Sequence, residues 1–157
     1  MSDHALRRRG DRHGELFGGG IAAGFDAPIT FDTGKRCWIQ QTIFHQNNDP
    51  AELLPNPDLT LRQVFTAGDS DTDIAFIKDA TVLKLAINRN KVQLMCNAYE
   101  NLDDKWLIQP MFISPKAQRS SPYPCTTTHD AAGNLITDEA GNVFTQDYQD
   151  IVFTRGP

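Results

Sequence analysis

Three carboxylates crowd into five residues at Asp69, Asp71 and Asp73, directly after the apolar run Val64-Phe65-Thr66-Ala67-Gly68. Like charges this close disfavour one another's ionisation, so a strand tip that ends this way calls for a cation. If a helix begins inside the loop, Asp69 sits at the strand tip and Asp73, four residues on, faces it from the first turn. Both can then point at one ion. Magnesium suits such a pair, being a hard cation that takes oxygen ligands and keeps several waters. Asp69 and Asp73 are therefore the expected metal ligands, with Gly68, Ser70 and Asp71 as second-tier loop candidates. Two plainer readings compete. Asp71 or Thr72 can simply cap the helix, worth about 1 kcal/mol, with the remaining acids solvated near its dipole. An EF-hand is excluded, because Ile74 and Ala80 stand where that loop needs Gly and Glu.

The elements that must hold this loop follow from apolar spacing. Residues 61–67 read as a strand, 71–80 as a helix with Ile74, Ala75 and Ile77 inward, and 82–87 as a second strand. Residues 91–99 read as another helix and 106–113 as a third strand, which Pro110 demotes toward an edge. Strand alternating with helix is the pattern of an α/β parallel sheet, whose ligands bind at the carboxyl ends of the strands. Upstream, residues 27–31 suggest a short strand, Asp32-Thr33-Gly34 a turn, and Lys35 to His45 a helix with Trp38, Ile39, Thr42 and Ile43 on one side. Residues 1–26 read as a disordered or truncated N-terminal segment, 27–115 as the sheet-bearing core, and 116–157 as a loop-rich β appendage. Within the appendage the octets 130–137 and 138–145 share Asp, Ala, Gly, Asn and Thr at matching positions. Gly-Asn before an apolar pair predicts turn-and-strand units, hence a small hairpin.

At 157 residues the chain is one domain's worth of polypeptide, and its formal charge of −5 argues against nucleic acid as a partner. The basic cluster Arg7-Arg8-Arg9 with Arg12 reads as a solvated tail. No apolar run reaches the roughly 20 residues that cross a bilayer, so no membrane span is expected. As given, the chain is expected in the cytoplasm; a longer, exported product would change that. The cysteines Cys37, Cys96 and Cys125 form no Cys-x-x-Cys pair, so buried thiols are expected. A Cys96–Cys125 disulfide is expected only for an exported product.

The run Gly68-Asp69-Ser70-Asp71-Thr72-Asp73-Ile74-Ala75-Phe76, through Leu85-Ala86-Ile87-Asn88-Arg89, to Leu107-Ile108-Gln109-Pro110-Met111-Phe112 resembles haloacid-dehalogenase-superfamily phosphatases of the phosphoserine and phosphorylcholine type. The resemblance implies a partial Rossmann-like parallel sheet, a magnesium ion at Asp69 and Asp73, and a phosphomonoester substrate. It also implies a catalytic role for Lys35, the helix-start lysine that balances the charge of nucleophile and phosphoryl group. The family's nucleophile, the first Asp of an Asp-x-Asp-x-Thr/Val motif at the end of the first strand, has no counterpart here. The resemblance thus covers the C-terminal half of such a core and expects an exposed sheet edge, covered by a partner chain or by self-association. Two readings follow: a fragment of a hydrolase, inactive alone, or a non-catalytic pseudoenzyme with a metal-binding or interaction role.

Overall fold

The computed structural model of the chain describes residues 30–46 and 53–151. Helix α1 spans Thr33–Thr42, strand β1 Phe65–Gly68, α2 Ile74–Ile77, β2 Leu83–Asn88, α3 Val92–Glu100 and β3 Trp106–Pro110. The three strands form one parallel sheet in the order β1-β2-β3. Phe65 pairs with Leu83 and Gly68 with Ala86, while Lys84 pairs with Trp106 and Asn88 with Pro110. The expected parallel α/β grammar is therefore present, with the expected order of elements. No described helix is long and apolar enough to cross a membrane. The segments 1–26 and 27–29, and with them most of the expected short strand, lie outside the described residues.

Boundaries differ from expectation for local reasons. The strand expected over 61–67 is confined to Phe65–Gly68, because Leu59–Leu61 form a 3-10 turn that Asp58 caps through the Thr60 amide. The helix expected over 71–80 opens instead as a 3-10 turn, Asp71–Asp73, and is α-helical only over Ile74–Ile77. Reciprocal capping by Ser70 and Asp73 tightens that first turn. The third strand stops at Pro110, short of residue 113, and Pro110 stands on an edge strand as expected. Helix α1 ends at Thr42 rather than His45.

Alternation along the strands decides which side of the sheet is covered. Thr66 of β1, Lys84, Ala86 and Asn88 of β2, and Trp106 of β3 are buried. The residues between them are not: Phe65 is 51% exposed and Leu107 53%, and Leu83, Leu85 and Ile87 are half-buried. One core therefore lies on one face, built from Ile74 and Ile77 of α2, Ala86, Leu94 and Met95 of α3, and Trp106. The inward Lys84 is accommodated by Asp103, 2.7 Å from its Nζ, by Glu139, and by the Trp106 ring beneath it.

Residues of the C-terminal segment, 116–157, contribute to this core. Tyr123, Cys125, Ile136 and Phe144 pack into the same cluster as α3. Cys96 of α3 and Cys125 form a disulfide, which corrects the expectation of buried thiols at these positions. Both residues are fully buried in contact with one cluster, and that packing, which spacing does not reveal, brings their Cα atoms to 5.8 Å. Cys37 is a buried thiol as expected. Asp150 ties the end of the segment back to the sheet: its Oδ1 accepts from Asn88 Nδ2 at 3.1 Å and from the Tyr99 hydroxyl at 2.7 Å, and its Oδ2 accepts from the Arg119 amide. Burial and this carboxylate push the Tyr99 hydroxyl's pKa up.

The repeated octets do not pair into the expected hairpin. Each closes its own tight turn with a single antiparallel bridge, His129 to Leu135 and Thr137 to Val143. Asp130 Oδ1 accepts from the Ala132 and Asn134 amides, and Asp138 Oδ1 accepts from the Asn142 amide. Gly133 and Gly141 stand at φ +84° and +85°, the left-handed conformation that glycine adopts without strain. The same five-residue turn is thus made twice, and each is complete in itself.

Candidate functional site

The acidic loop leaves the carboxyl end of β1, where a parallel sheet presents its ligand sites. Gly68 is required here by close approach. A Cβ at this position would lie 2.6 Å from Asp73 Cβ and 2.7 Å from Ile77 Cδ1, so only a bare α-carbon lets the loop fold back over α2. That return places Asp73 beneath the loop it belongs to. Its Oδ2 accepts from the backbone amides of Asp69 and Ser70, each at 3.0 Å.

Lys35 arrives from α1, 38 residues earlier in the chain. Its Nζ lies 2.5 Å from Asp73 Oδ1 and 3.1 Å from Thr72 Oγ1. Arg36, the next residue, is what holds α1 in that position. Its guanidinium grips Asp79 through Nε at 2.6 Å and Nη2 at 2.9 Å, and it also donates to the Ala75 and Leu53 carbonyls. Burial pushes the Asp79 carboxyl's pKa up, and the Arg36 contact opposes that shift. This ion pair is buried on both sides and fixes α1 against α2.

The other loop acids have separate partners. Asp69 Oδ2 meets Arg89 Nη1 at 2.9 Å across a half-exposed surface. Asp71 Oδ1 accepts from the Leu94 amide and so caps α3 from outside. The structure thus gathers Lys35, Asp69, Ser70, Asp71 and Asp73 at one end of the sheet, and it adds Thr72, expected only as a helix cap, and Arg89, for which the sequence suggested no role. Arg89 carries a readable signal, since it follows immediately on β2 and so must emerge beside the tip of β1.

The repulsion among three carboxylates is met here by Lys35, Arg89 and the Leu94 amide. Among the described residues, no three His, Cys, Asp or Glu side chains converge as a centre of protein ligands alone would require. Magnesium asks for less, one or two carboxylates with phosphate and water completing the octahedron. Asp69 fits that part, being at the strand tip and reaching toward solvent. Asp73 fits it through water, because both of its oxygens are engaged and a direct bond would have to displace Lys35. Beside Thr72 opens a cleft of about 250 Å³ lined by Phe31, Asp32, Asp71, His129 and Asp130.

Comparison of the chain with family models, with curated proteins and with solved structures finds no match.

Proposed function

We propose that the chain carries the cation-binding end of a magnesium-dependent phosphomonoester hydrolase of haloacid-dehalogenase type, without its nucleophile. The observation that supports this reading is the meeting of Lys35 with Asp73 and Thr72 beside Asp69 at the carboxyl end of β1. Lys35 lies 38 residues from Asp73 in the chain, and a lysine and a carboxylate loop at one strand tip are what a phosphoryl group with its counter-ion needs. Asp69 would hold the ion directly and Asp73 through water. Magnesium, when bound, neutralises phosphate oxygens. Lys35 positions the phosphoryl group, Thr72 orients the Lys35 amine, and Arg89 steers the Asp69 carboxylate.

Such a chain binds magnesium and phosphate together and shows no turnover by itself. The test is thermal unfolding with millimolar magnesium and inorganic phosphate, alongside turnover of a generic aryl phosphate, each repeated with Asp69→Asn. Stabilisation by the pair of ions, lost in Asp69→Asn, supports the reading. No stabilisation by magnesium sinks it. Magnesium-dependent turnover abolished by Asp69→Asn would instead show that a nucleophile is present.

A second reading, a non-catalytic pseudoenzyme, is favoured by the full engagement of Asp73 by Lys35 and two amides. In that case the loop is a finished structural element, and neither ion alters the melting curve.

A further inference from the structure

The cleft beside Thr72 is lined by Thr128, His129 and Asp130 of the C-terminal segment, by Asp71 and Thr72 of the acidic loop, and by Gln93 of α3. Gln93 and Cys96 are neighbours one turn apart on α3. Thr128 lies one tight turn after Cys125, and its amide and hydroxyl both donate to the Pro124 carbonyl, at 3.1 and 2.7 Å. The Cys96–Cys125 bond therefore ties the α3 lining of the cleft to its C-terminal lining, one turn away from each. Little regular structure shares that task. Beyond β3 the described residues form neither helix nor strand, and their bridges are the isolated ones of Tyr123 with Tyr148, His129 with Leu135 and Thr137 with Val143. The Tyr123 hydroxyl also meets Asn88 Oδ1 at 3.1 Å and Asn90 Oδ1 at 3.0 Å. A single side-chain bond of this kind contributes less than a covalent link across 29 residues.

Burial decides when the bond can form. Cys96 is 0% exposed and Cys125 1%, and thiol–disulfide exchange needs a thiolate to reach a sulfur of the bond. The folded protein shields the pair from exchange, so its oxidation state is set as the chain folds. Forming the bond moves two electrons and two protons from the Cys96 and Cys125 thiols to an acceptor disulfide, which leaves as two thiols. Cytosolic glutathione and thioredoxin run against that step, whereas secretory and periplasmic compartments supply the acceptor. We infer that the cleft is assembled only in an oxidising compartment, with Cys96–Cys125 as the tether that fixes its Thr128–Asp130 lining. The inference stands on the bond and the cleft and does not depend on the phosphatase reading. It selects an exported product over a cytoplasmic one.

Two measurements test it. In the cells that make the protein, acid quenching is followed by a light maleimide in denaturant, then by reduction and a heavy maleimide, and the peptides are read by mass. Cys96 and Cys125 should carry the heavy label and Cys37 the light one. Light label on Cys96 and Cys125 would show a reduced pair where the protein resides, and would overturn the inference. In the purified chain, backbone amide exchange is compared between the oxidised protein and the Cys96→Ser/Cys125→Ser variant. Residues 126–136 should exchange at least about 100-fold faster in the variant, the scale set by loop entropy for a separation of 29 residues. The native chain, reduced in denaturant and refolded under a dithiol reductant, keeps both cysteine side chains and should show the same acceleration. Acceleration that also reaches β2 would extend the dependence to the sheet and supports the inference equally. Unchanged exchange over 126–136 would show that packing alone builds the lining. Acceleration in the variant but not in the reduced chain would assign the effect to serine in the core. Either of these last two results overturns the inference.

Discussion

Replacing Gly68 by Ala tests whether the loop's shape depends on contact with Asp73. The added Cβ would lie 2.6 Å from Asp73 Cβ, 2.7 Å from Ile77 Cδ1 and 2.8 Å from Asp73 Oδ2, each about 1 Å inside normal contact. Ile77 is fully buried and has no room to retreat, so the strain falls on Asp73. Overpacking of this kind costs about 1–3 kcal/mol. Moving Asp73 aside by that distance also breaks at least one of the two amide bonds its carboxylate accepts, worth about 1.5–3 kcal/mol. The expected loss is therefore about 2.5–6 kcal/mol, read in urea as a lower midpoint at unchanged slope. A double-mutant cycle with Asp73→Ala localises the effect, since removing the carboxylate should recover at least about 1 kcal/mol of the Gly68→Ala cost. A loss under about 1 kcal/mol, or no coupling to Asp73, would refute the argument that close approach selects glycine here.

Removing the disulfide with Cys96→Ser and Cys125→Ser should cost about 3.6 kcal/mol by loop entropy for a separation of 29 residues, read as a lower urea midpoint; an unchanged midpoint would mean that packing alone fixes the C-terminal segment. Arg36→Met leaves Asp79 buried without its ion partner, and a loss of about 3–5 kcal/mol is expected in the same assay. Lys78 donates to the Asp138 carbonyl at 2.7 Å, and burial lowers its pKa to about 8. The folded form then binds fewer protons than the unfolded one above pH 8, so stability should rise from pH 8 toward pH 9.5. Lys78→Met should flatten that rise. The window closes near pH 10, where Tyr99 and Tyr123, whose pKa values burial raises, make the unfolded state lose protons first.

The order of elements and the place of the loop were legible because they depend on local signals. An apolar run ending in Gly68-Asp69 marks a strand tip, and Lys35 lies in the first turn of a helix that begins at Thr33, two residues before the expected start. What was not legible depends on contacts between distant residues. Lys84 faces inward because Asp103 and Glu139 reach it from later segments, and nothing near residue 84 announces them. The Cys96–Cys125 pairing follows from the C-terminal segment entering the core, which its polar, Gly-rich composition hides. The octets predicted one hairpin because strand-like residues follow Gly-Asn in each, but Asp130 and Asp138 spend their carboxylates on their own turns. Within the site, Arg89 was readable only from its place directly after β2, whereas the Leu94 amide that Asp71 accepts from needed the fold to be found.

The disulfide also determines how the molecule comes apart when cut. Residues 112–118 form an exposed run between β3 and the Arg119 amide that Asp150 holds, with Phe112 at 70% and Ile113 at 76% exposure. This run lies between Cys96 and Cys125, so a protease that nicks it opens the backbone inside the covalent ring. The two pieces would travel as one species on a non-reducing gel and separate only after reduction. Tyr123 and Ile136, beyond the cut, belong to the same core as α3, and a single cut there would go unnoticed on a gel run without reductant.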